Sequence, residues 1–220
     1  MTPVVVYGAG GMGREVAETI LAVNGGQDWS LMGFLDDDAG THGTQVLGLP
    51  VLGPGEWILD NPGVKLALGI GHPHIRYKVV HKMRRLGGEW ATVIHPAAVV
   101  SPSAEVGQGC VVFAGCTVST NARLGAYSYL NYRAVVSHDA VVDDFACIMA
   151  QVGLSGNVNV GEGSFIGVGT ATRQQVSIGE WSIVGAGASV VRDIPSYCVA
   201  VGVPAAPIRS YASREDMPPF

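Results

Sequence analysis

An aliphatic residue at every sixth position constrains this 220-residue chain more than any other feature. Counting in sixes from Ile94 to Val190 gives seventeen positions, and all but Thr172 are Ile, Leu or Val. Four residues after each of the first sixteen comes a second series, from Ala98 to Ala188, that contains only Ala, Ser, Cys, Thr and Val. A β-sandwich alternates with period two and has no reason to keep a period of six. The repeat therefore predicts a three-sided parallel β-helix, with one short strand and one corner per repeat.

Glycine recurs directly after the aliphatic residue, which suits backbone that turns sharply or approaches another chain closely. The positions concerned are Gly107, Gly125, Gly161, Gly167, Gly179 and Gly185. Glycine makes up 31 residues of the chain, and charged residues only 14% where about 25% is usual. A chain of this composition must bury much of its surface, either in a tightly stacked core or against copies of itself.

The first 90 residues show a strand, a glycine-rich loop and a helix instead. A β-branched run ends at Tyr7, and a helical pattern begins at Arg14. The loop between them is Gly8, Ala9, Gly10, Gly11, Met12 and Gly13. A second strand pattern ends at Asp36 and Asp37, where an acidic residue can meet a ribose. The order predicts an α/β half-Rossmann unit of the βαβαβ type.

Dinucleotide binding needs two such halves, and the repeats leave room for only one. We therefore expect the unit to bind a single nucleotide, with its phosphates at the helix N-terminus. An NAD oxidoreductase and a purely structural glycine loop remain as alternatives. The predicted domains are residues 1–90, the half-Rossmann unit, residues 91–208, the β-helix, and residues 209–220, a C-terminal tail.

Charge and cysteine usage exclude several classes of function. A net charge of −5 and a pI near 5.6 provide no basic surface for nucleic acid. The four cysteines form no CxxC pair, so reduced, buried thiols are expected rather than disulfides or a metal site. No apolar run is long enough to span a bilayer, and the N-terminus lacks the basic start of a secretory signal. We expect a cytoplasmic protein.

The glycine loop, the FLDDD strand end, the sequence entering the repeats and a closing VGVPA segment carry a family resemblance. These are residues 7–13, 34–38, 93–104 and 201–205. Together they resemble the NeuD-type sialic-acid O-acetyltransferase family of bacterial sugar acyltransferases, in the hexapeptide-repeat superfamily. That family includes N-acetyltransferases of UDP-linked 4-amino sugars. The resemblance implies a left-handed β-helix, a homotrimer with active sites between subunits, acetyl-CoA as co-substrate and a nucleotide-sugar acceptor.

Acetyl transfer from a thioester to an amine or hydroxyl needs a general base of near-neutral pKa, for which histidine is suited. His138 is the one histidine deep within the repeats, and Asp139 follows it. The resemblance places the catalytic base and its orienting carboxylate at these positions; the alternative is a corner histidine that faces solvent. It also matches Gly156, one coil later, with the backbone N–H donor that a developing oxyanion requires.

The remaining site residues are also implied by the resemblance. The coenzyme would contact Gly156, Gly185, Ala186, Gly202 and Pro204, and also Cys147, which stands where the family has a second histidine. The acceptor would contact Gly8, Gly10, Gly11, Met12, Gly13, Asp36, Asp37 and His72, although His72 can equally lie in a surface loop. Met12 replaces a family histidine and cannot donate a hydrogen bond, which leaves the identity of the acceptor open.

These observations predict an acetyl-CoA-dependent acetyltransferase acting on the amino group of a nucleotide-linked sugar in glycan or polysaccharide biosynthesis. One alternative is O-acetylation of a sialic-acid-like or other small hydroxyl acceptor. Another is a catalytically silent scaffold that binds a nucleotide sugar, against which the intact pair of His138 and Asp139 argues.

Overall fold

A computed structural model describes residues 1–23 and 29–217 of the chain. It shows an α/β unit followed by a left-handed parallel β-helix, which confirms the predicted fold class. None of the helices in these two ranges is long and apolar enough to cross a membrane. The predicted boundaries at residues 90 and 208 stay predictions.

The α/β unit is a six-stranded sheet in the order β3-β4-β2-β1-β5-β6, parallel except for the pairing of β3 with β4. Its strands are β1 Thr2–Tyr7, β2 Trp29–Leu35, β3 Gln45–Val46, β4 Leu49–Gly53, β5 Lys65–Leu68 and β6 Glu89–Trp90. Its helices are α1 Gly11–Ala22 and α2 Pro73–Arg85, with short 3-10 turns at Ala39–Thr41 and Gly55–Asp60.

The residues at the start of each helix explain why it can begin directly after a strand. In α1, a Cβ on Gly13 would lie 1.8 Å from the carbonyl oxygen of Gly8, so only glycine lets the helix start this close to β1. In α2, Pro73 stands in the first turn, where its missing N–H costs nothing. Both helices therefore begin at the carboxyl edge of the sheet, where ligands bind in open α/β folds.

The β-helix consists of two-residue strands on three faces. Face I contains β7 Val93–Ile94, β10 Val111–Val112, β13 Tyr129–Leu130, β16 Cys147–Ile148, β19 Phe165–Ile166 and β22 Ile183–Val184, and it continues into β24 Cys198–Gly202 and β25 Ala205–Ser210. Face II contains β8 Val99–Val100, β11 Thr117–Val118, β14 Val135–Val136, β17 Gly153–Leu154, β20 Ala171–Thr172 and β23 Ser189–Val190. Face III contains β9 Glu105–Val106, β12 Arg123–Leu124, β15 Val141–Val142, β18 Asn159–Val160 and β21 Ser177–Ile178.

Successive strands of a face pair in parallel, and residues eighteen apart stack on one another. Thus Leu130 pairs with Val112 on one side and with Ile148 on the other. The second residue of each strand points inward, so these three aliphatic side chains are fully buried in a continuous ladder. The period of six found in the sequence is the period of this core.

The glycines after the aliphatic residues differ from the expectation in one respect. A Cβ on Gly161 would lie 2.5 Å from the backbone nitrogen of Glu180, so the close approach is to the next coil of the same chain. These glycines do not make the turns. The left-handed backbone lies two residues later, as at Gly163 (φ 63°), and non-glycine residues such as Asp139 (φ 57°) also take it.

Face I is covered by the α/β unit. The outward side chains of Val111, Tyr129 and Cys147 are fully buried in one apolar cluster with Val4 and Val16. The two parts of the chain therefore share a core.

The buried Arg76 guanidinium of α2 also joins the two parts. It donates to the carbonyl oxygens of Ile70, in the α/β unit, at 2.6 Å and of Tyr127, in the β-helix, at 2.5 Å.

Replacing Gly161 by Ala should lower the thermal midpoint of unfolding, because the new methyl group would press against the next coil. Overpacking of this kind costs about 1–3 kcal/mol. Asn159→Ala, on the exposed outer side of the strand that precedes Gly161, is the matched control and should change the midpoint little. Equal midpoints for the two variants would show that the coils are not stacked this tightly.

Candidate active site

The predicted base lies at the corner between faces II and III, directly after β14. His138 Nδ1 lies 2.9 Å from Asp139 Oδ2, and both side chains are about half exposed. A carboxylate at Nδ1 favours the tautomer that keeps its proton there, so Nε2 is left to accept a proton. The pair thus has the geometry of a general base and its orienting carboxylate.

A third member of this group was not expected from the sequence. Asn121 Nδ2 donates to Asp139 Oδ1 at 3.1 Å. The hydrogen bonds from His138 and from Asn121 hold the pKa of Asp139 below its usual value, so this carboxylate is ionised at neutral pH. Asn121 stands eighteen residues before Asp139, and this one-coil spacing is the signal that would have identified it.

Gly156 lies one coil beyond His138 and directly beside its ring. A Cβ at this position would approach both Cε1 and Nε2 of His138 to 2.4 Å, so the imidazole occupies the space that a side chain would fill. The N–H of Gly156 makes no hydrogen bond within the described residues. Its role as an oxyanion donor stays a prediction, and this position beside Nε2 is compatible with it.

A second group of predicted residues lines a cavity of about 400 Å³ at the carboxyl edge of the α/β sheet. Seven of the eight expected acceptor residues meet there: Gly8, Gly10, Gly11, Met12, Asp36, Asp37 and His72. Gly13 is the exception, because it packs against the carbonyl of Gly8 beneath the loop. We call this space the acceptor cavity.

The two aspartates of the acceptor cavity have different surroundings. Asp36 Oδ2 accepts a hydrogen bond from the N–H of Ala9 at 2.8 Å and thereby ties the glycine loop to the end of β2. Asp37 accepts from Lys82 Nζ at 3.0 Å. Partial burial alone would raise the pKa of Asp37, but its hydrogen bonds, that from Lys82 foremost, lower it overall. Lys82 thus favours an ionised Asp37 at the cavity.

His72 precedes α2 and lies half-buried at the rim of the acceptor cavity rather than in a free surface loop. Burial lowers its pKa, which favours the neutral imidazole at physiological pH. A neutral imidazole can both donate and accept a hydrogen bond, so His72 can contact a sugar hydroxyl or a phosphate.

Five of the six residues expected to contact the coenzyme fall into three places. Gly185 and Ala186 lie at the corner between faces I and II, and a Cβ on Gly185 would meet the side chain of Val201 at 2.8 Å. Gly202 and Pro204 are exposed in the adjoining turn between β24 and β25. Gly156 lies apart from these four, beside His138.

Cys147 requires a correction. Its thiol is fully buried between face I and the α/β unit, where Sγ lies 3.3 Å from the carbonyl oxygen of Gly71. Burial raises the pKa of this thiol to about 11. The side chain therefore faces no open groove, which argues against the expected coenzyme contact. Spacing from His138 alone did not show that the α/β unit covers this part of face I.

One chain does not bring these groups together. The acceptor cavity belongs to the unit packed on face I, whereas His138 lies at the opposite corner, between faces II and III. Gly185 and Ala186 occupy a different corner, between faces I and II. The described residues contain no cluster of three or more His, Cys, Asp or Glu side chains that could hold a metal ion.

Comparison with known proteins identifies the family. The profile of the PglD N-terminal domain matches residues 3–83. The acetyltransferase domain of PglB from Neisseria gonorrhoeae is 36% identical, with a TM-score of 0.85, and the match covers 94% of this chain and 100% of that one. The chain belongs to this family of acetyltransferases.

Two further solved structures support the assignment of this chain to the family. Perosamine N-acetyltransferase from Caulobacter crescentus, solved as a histidine mutant with CoA and GDP-perosamine, is 34% identical with a TM-score of 0.88, covering 94% of this chain and 97% of that one. WeeI from Acinetobacter baumannii is 26% identical with a TM-score of 0.85, covering 94% and 100%. The expected acetyltransferase is thus confirmed, and the sialic-acid O-acetyltransferase branch stays a prediction.

Replacing Gly156 by Ala tests the geometry of the predicted base. The methyl group would displace the His138 ring toward solvent, so kcat/KM should fall by about 100-fold or more, the range that a general base contributes. Because the ring is half exposed, the thermal midpoint should change little. Asn159→Ala, three residues later, should retain activity. Wild-type kinetics for Gly156→Ala would contradict the placement of the ring.

Proposed function

We propose that the protein transfers the acetyl group of acetyl-CoA to the amino group of a nucleotide-linked amino sugar. The observation that carries this proposal is the hydrogen-bonded chain from Asn121 through Asp139 to His138, which leaves one imidazole nitrogen free beside Gly156. Relatives support the two substrates: one structure of the PglB domain contains acetyl coenzyme A, and the perosamine enzyme contains CoA and GDP-perosamine.

In the proposed reaction, the sugar amine attacks the thioester carbonyl carbon directly. A C–N bond forms as His138 Nε2 takes a proton from the amine. The N–H of Gly156 stabilises the negative charge that develops on the carbonyl oxygen. The C–S bond then breaks, and the imidazolium returns the proton to the leaving thiolate. No covalent enzyme intermediate is needed, and Asp139 stabilises the imidazolium while it exists.

The acceptor cavity suits the nucleotide part of such a sugar. The free N–H groups at the start of α1 can bind a phosphate, and the helix dipole favours the negative charge. Asp37 lies on the same cavity and can accept hydrogen bonds from ribose hydroxyls. Asp36 acts indirectly in this proposal, because its carboxylate holds the loop through Ala9.

A homotrimer would bring the separated groups together. The outward residues of face II carry no charge: they are Val99, Thr117, Val135, Gly153, Ala171 and Ser189. Val99 is 65% exposed and Val135 38% in the single chain. Face III instead carries the exposed ion pair of Arg123 with Glu105. We therefore propose that the face II surfaces of three copies meet around a threefold axis.

In this arrangement, the corner with His138 on one subunit lies beside the corner with Gly185 and Ala186 on the next. That second corner borders face I, so it also brings the neighbour's acceptor cavity toward His138. Acetyl-CoA would bind in the groove between the two prisms, along Gly156, Gly202 and Pro204. The active sites would then lie between subunits.

His138→Ala tests the proposed chemistry. We expect CoA release from acetyl-CoA to fall by about 100-fold or more with the best of a panel of UDP-, dTDP- and GDP-linked amino sugars. Mass spectrometry of the wild-type product should show an amide. His95→Ala, another imidazole of the β-helix, is the matched control and should retain activity. Turnover of His138→Ala within about tenfold of wild type, roughly 1.4 kcal/mol of barrier, would refute the base assignment.

A further inference from the structure

A cavity of about 570 Å³ lies beside the acceptor cavity, and residues 214–217, the C-terminal segment, form one of its walls. Its lining comprises His72, His74, Ile75, Tyr77, Lys78, Arg214, Glu215 and Met217. His72 and Ile75 line both cavities, so the two spaces meet at the first turn of α2. We call this second space the α2 cavity. Neither the repeats nor the glycine loop accounts for it.

The C-terminal wall of the α2 cavity is held in place. The guanidinium carbon of Arg214 lies 4.2 Å from the ring centre of Tyr77 and 5.0 Å from that of Trp181. Its Nη2 lies 2.8 Å from Glu215 Oε1, and Met217 beyond it is buried. Cation–π contacts with two rings restrict the orientation of the guanidinium, so its charge lies at a defined place on the cavity wall.

The α2 cavity has a surplus of positive charge. Arg214 and Lys78 against Glu215 leave one net positive charge with both imidazoles neutral. Burial is the largest cause that lowers the pKa of His74, and the charges of Arg214 and Lys78 lower it further. Four nitrogen-bearing side chains that can donate hydrogen bonds thus line one space. A bound anion would offset the repulsion between Lys78 and Arg214 and raise the pKa of both imidazoles.

The charged residues that line the acceptor cavity differ from those of the α2 cavity. Its described lining contains Asp36 and Asp37 but neither Lys nor Arg, and Lys82 already bonds to Asp37. The α1 N-terminus supplies N–H donors and a partial charge there, but no full positive charge. The α2 cavity, which shares His72 and Ile75 with the acceptor cavity, contains full positive charges in its own lining.

We propose that the α2 cavity is a binding site for a phosphate-type anion, completed by Arg214 of the C-terminal segment. The anion can belong to the acceptor, whose phosphates can reach the site past His72, or it can be a free phosphate compound. Both sources present the same chemistry to the cavity. The proposal does not depend on the acetyl-transfer reaction.

Calorimetric titration of the full chain with inorganic pyrophosphate tests the site. Wild type should bind pyrophosphate. Arg214→Gln and Lys78→Ala should each lower the affinity at least about tenfold, as expected for loss of one charge-assisted hydrogen bond. Arg85→Ala, an exposed arginine at the end of α2, is the matched control and should bind like wild type. Lys78 is exposed, and no described contact links it to the C-terminal segment, so its variant does not depend on that segment staying docked.

Competition between nucleotides and pyrophosphate identifies the source of the anion. If UDP or GDP displaces pyrophosphate while uridine and guanosine do not, the acceptor's own phosphates occupy the site. If pyrophosphate stays bound beside the nucleotide, the anion is a free one; both results support the site. Absence of pyrophosphate binding to wild type would overturn it. Unchanged binding by both variants would also overturn it. So would a loss of binding confined to Arg214→Gln and accompanied by a lower thermal midpoint, because that result would mean that the C-terminal segment has undocked.

Discussion

The stacking of one coil directly on the next is the constraint on which the rest of the structure depends. Parallel pairing places residues eighteen apart side by side, as for Val135 and Gly153. The same register places Asn121 beside Asp139 and Gly156 beside His138. The proposed catalytic group is thus assembled by backbone pairing between coils. Support of this kind keeps a base and its partner in position without a cost in entropy at each turnover.

The seam between the β-helix and the α/β unit is the second determinant. Arg76 is fully buried, and its hydrogen-bond partners in the described part of the chain are carbonyl oxygens rather than a carboxylate. Its bond to Ile70 fixes the backbone just before Gly71 and His72, which line the acceptor cavity. The cavity is therefore held by the same contacts that hold the two parts of the chain together. A charge buried without a counterion is costly, which favours a specific role for it at this seam.

The sequence was sufficient to predict the elements with strong periodicity. The β-helix followed from the aliphatic series, and the strand-loop-helix start followed from the glycines after Tyr7. It was also sufficient to pair His138 with Asp139, because adjacent residues at a corner share one surface. Asn121 was missed although its one-coil spacing contained the signal.

Features that depend on packing between distant segments could not be predicted. Nothing in the repeat shows which face the α/β unit covers, so Cys147 was expected to contact the coenzyme although it is buried. The α2 cavity requires Arg214 to meet Tyr77 and Trp181, and no sequence period relates these three residues. Tertiary contacts of this kind are fixed by shape and burial rather than by local pattern.

The central claim is that His138 of one subunit serves the acceptor cavity of another. Mixed oligomers of His138→Ala and Gly10→Trp test it most directly. A Cβ at Gly10 would have no neighbour within 4 Å, so a large side chain can extend from it into the cavity. Each variant alone should be inactive. In an equal mixture about a quarter of the interfaces would combine an intact base with an intact cavity, so about a quarter of wild-type activity should return. Mixed oligomers, verified by two affinity tags, that stay inactive would contradict the claim.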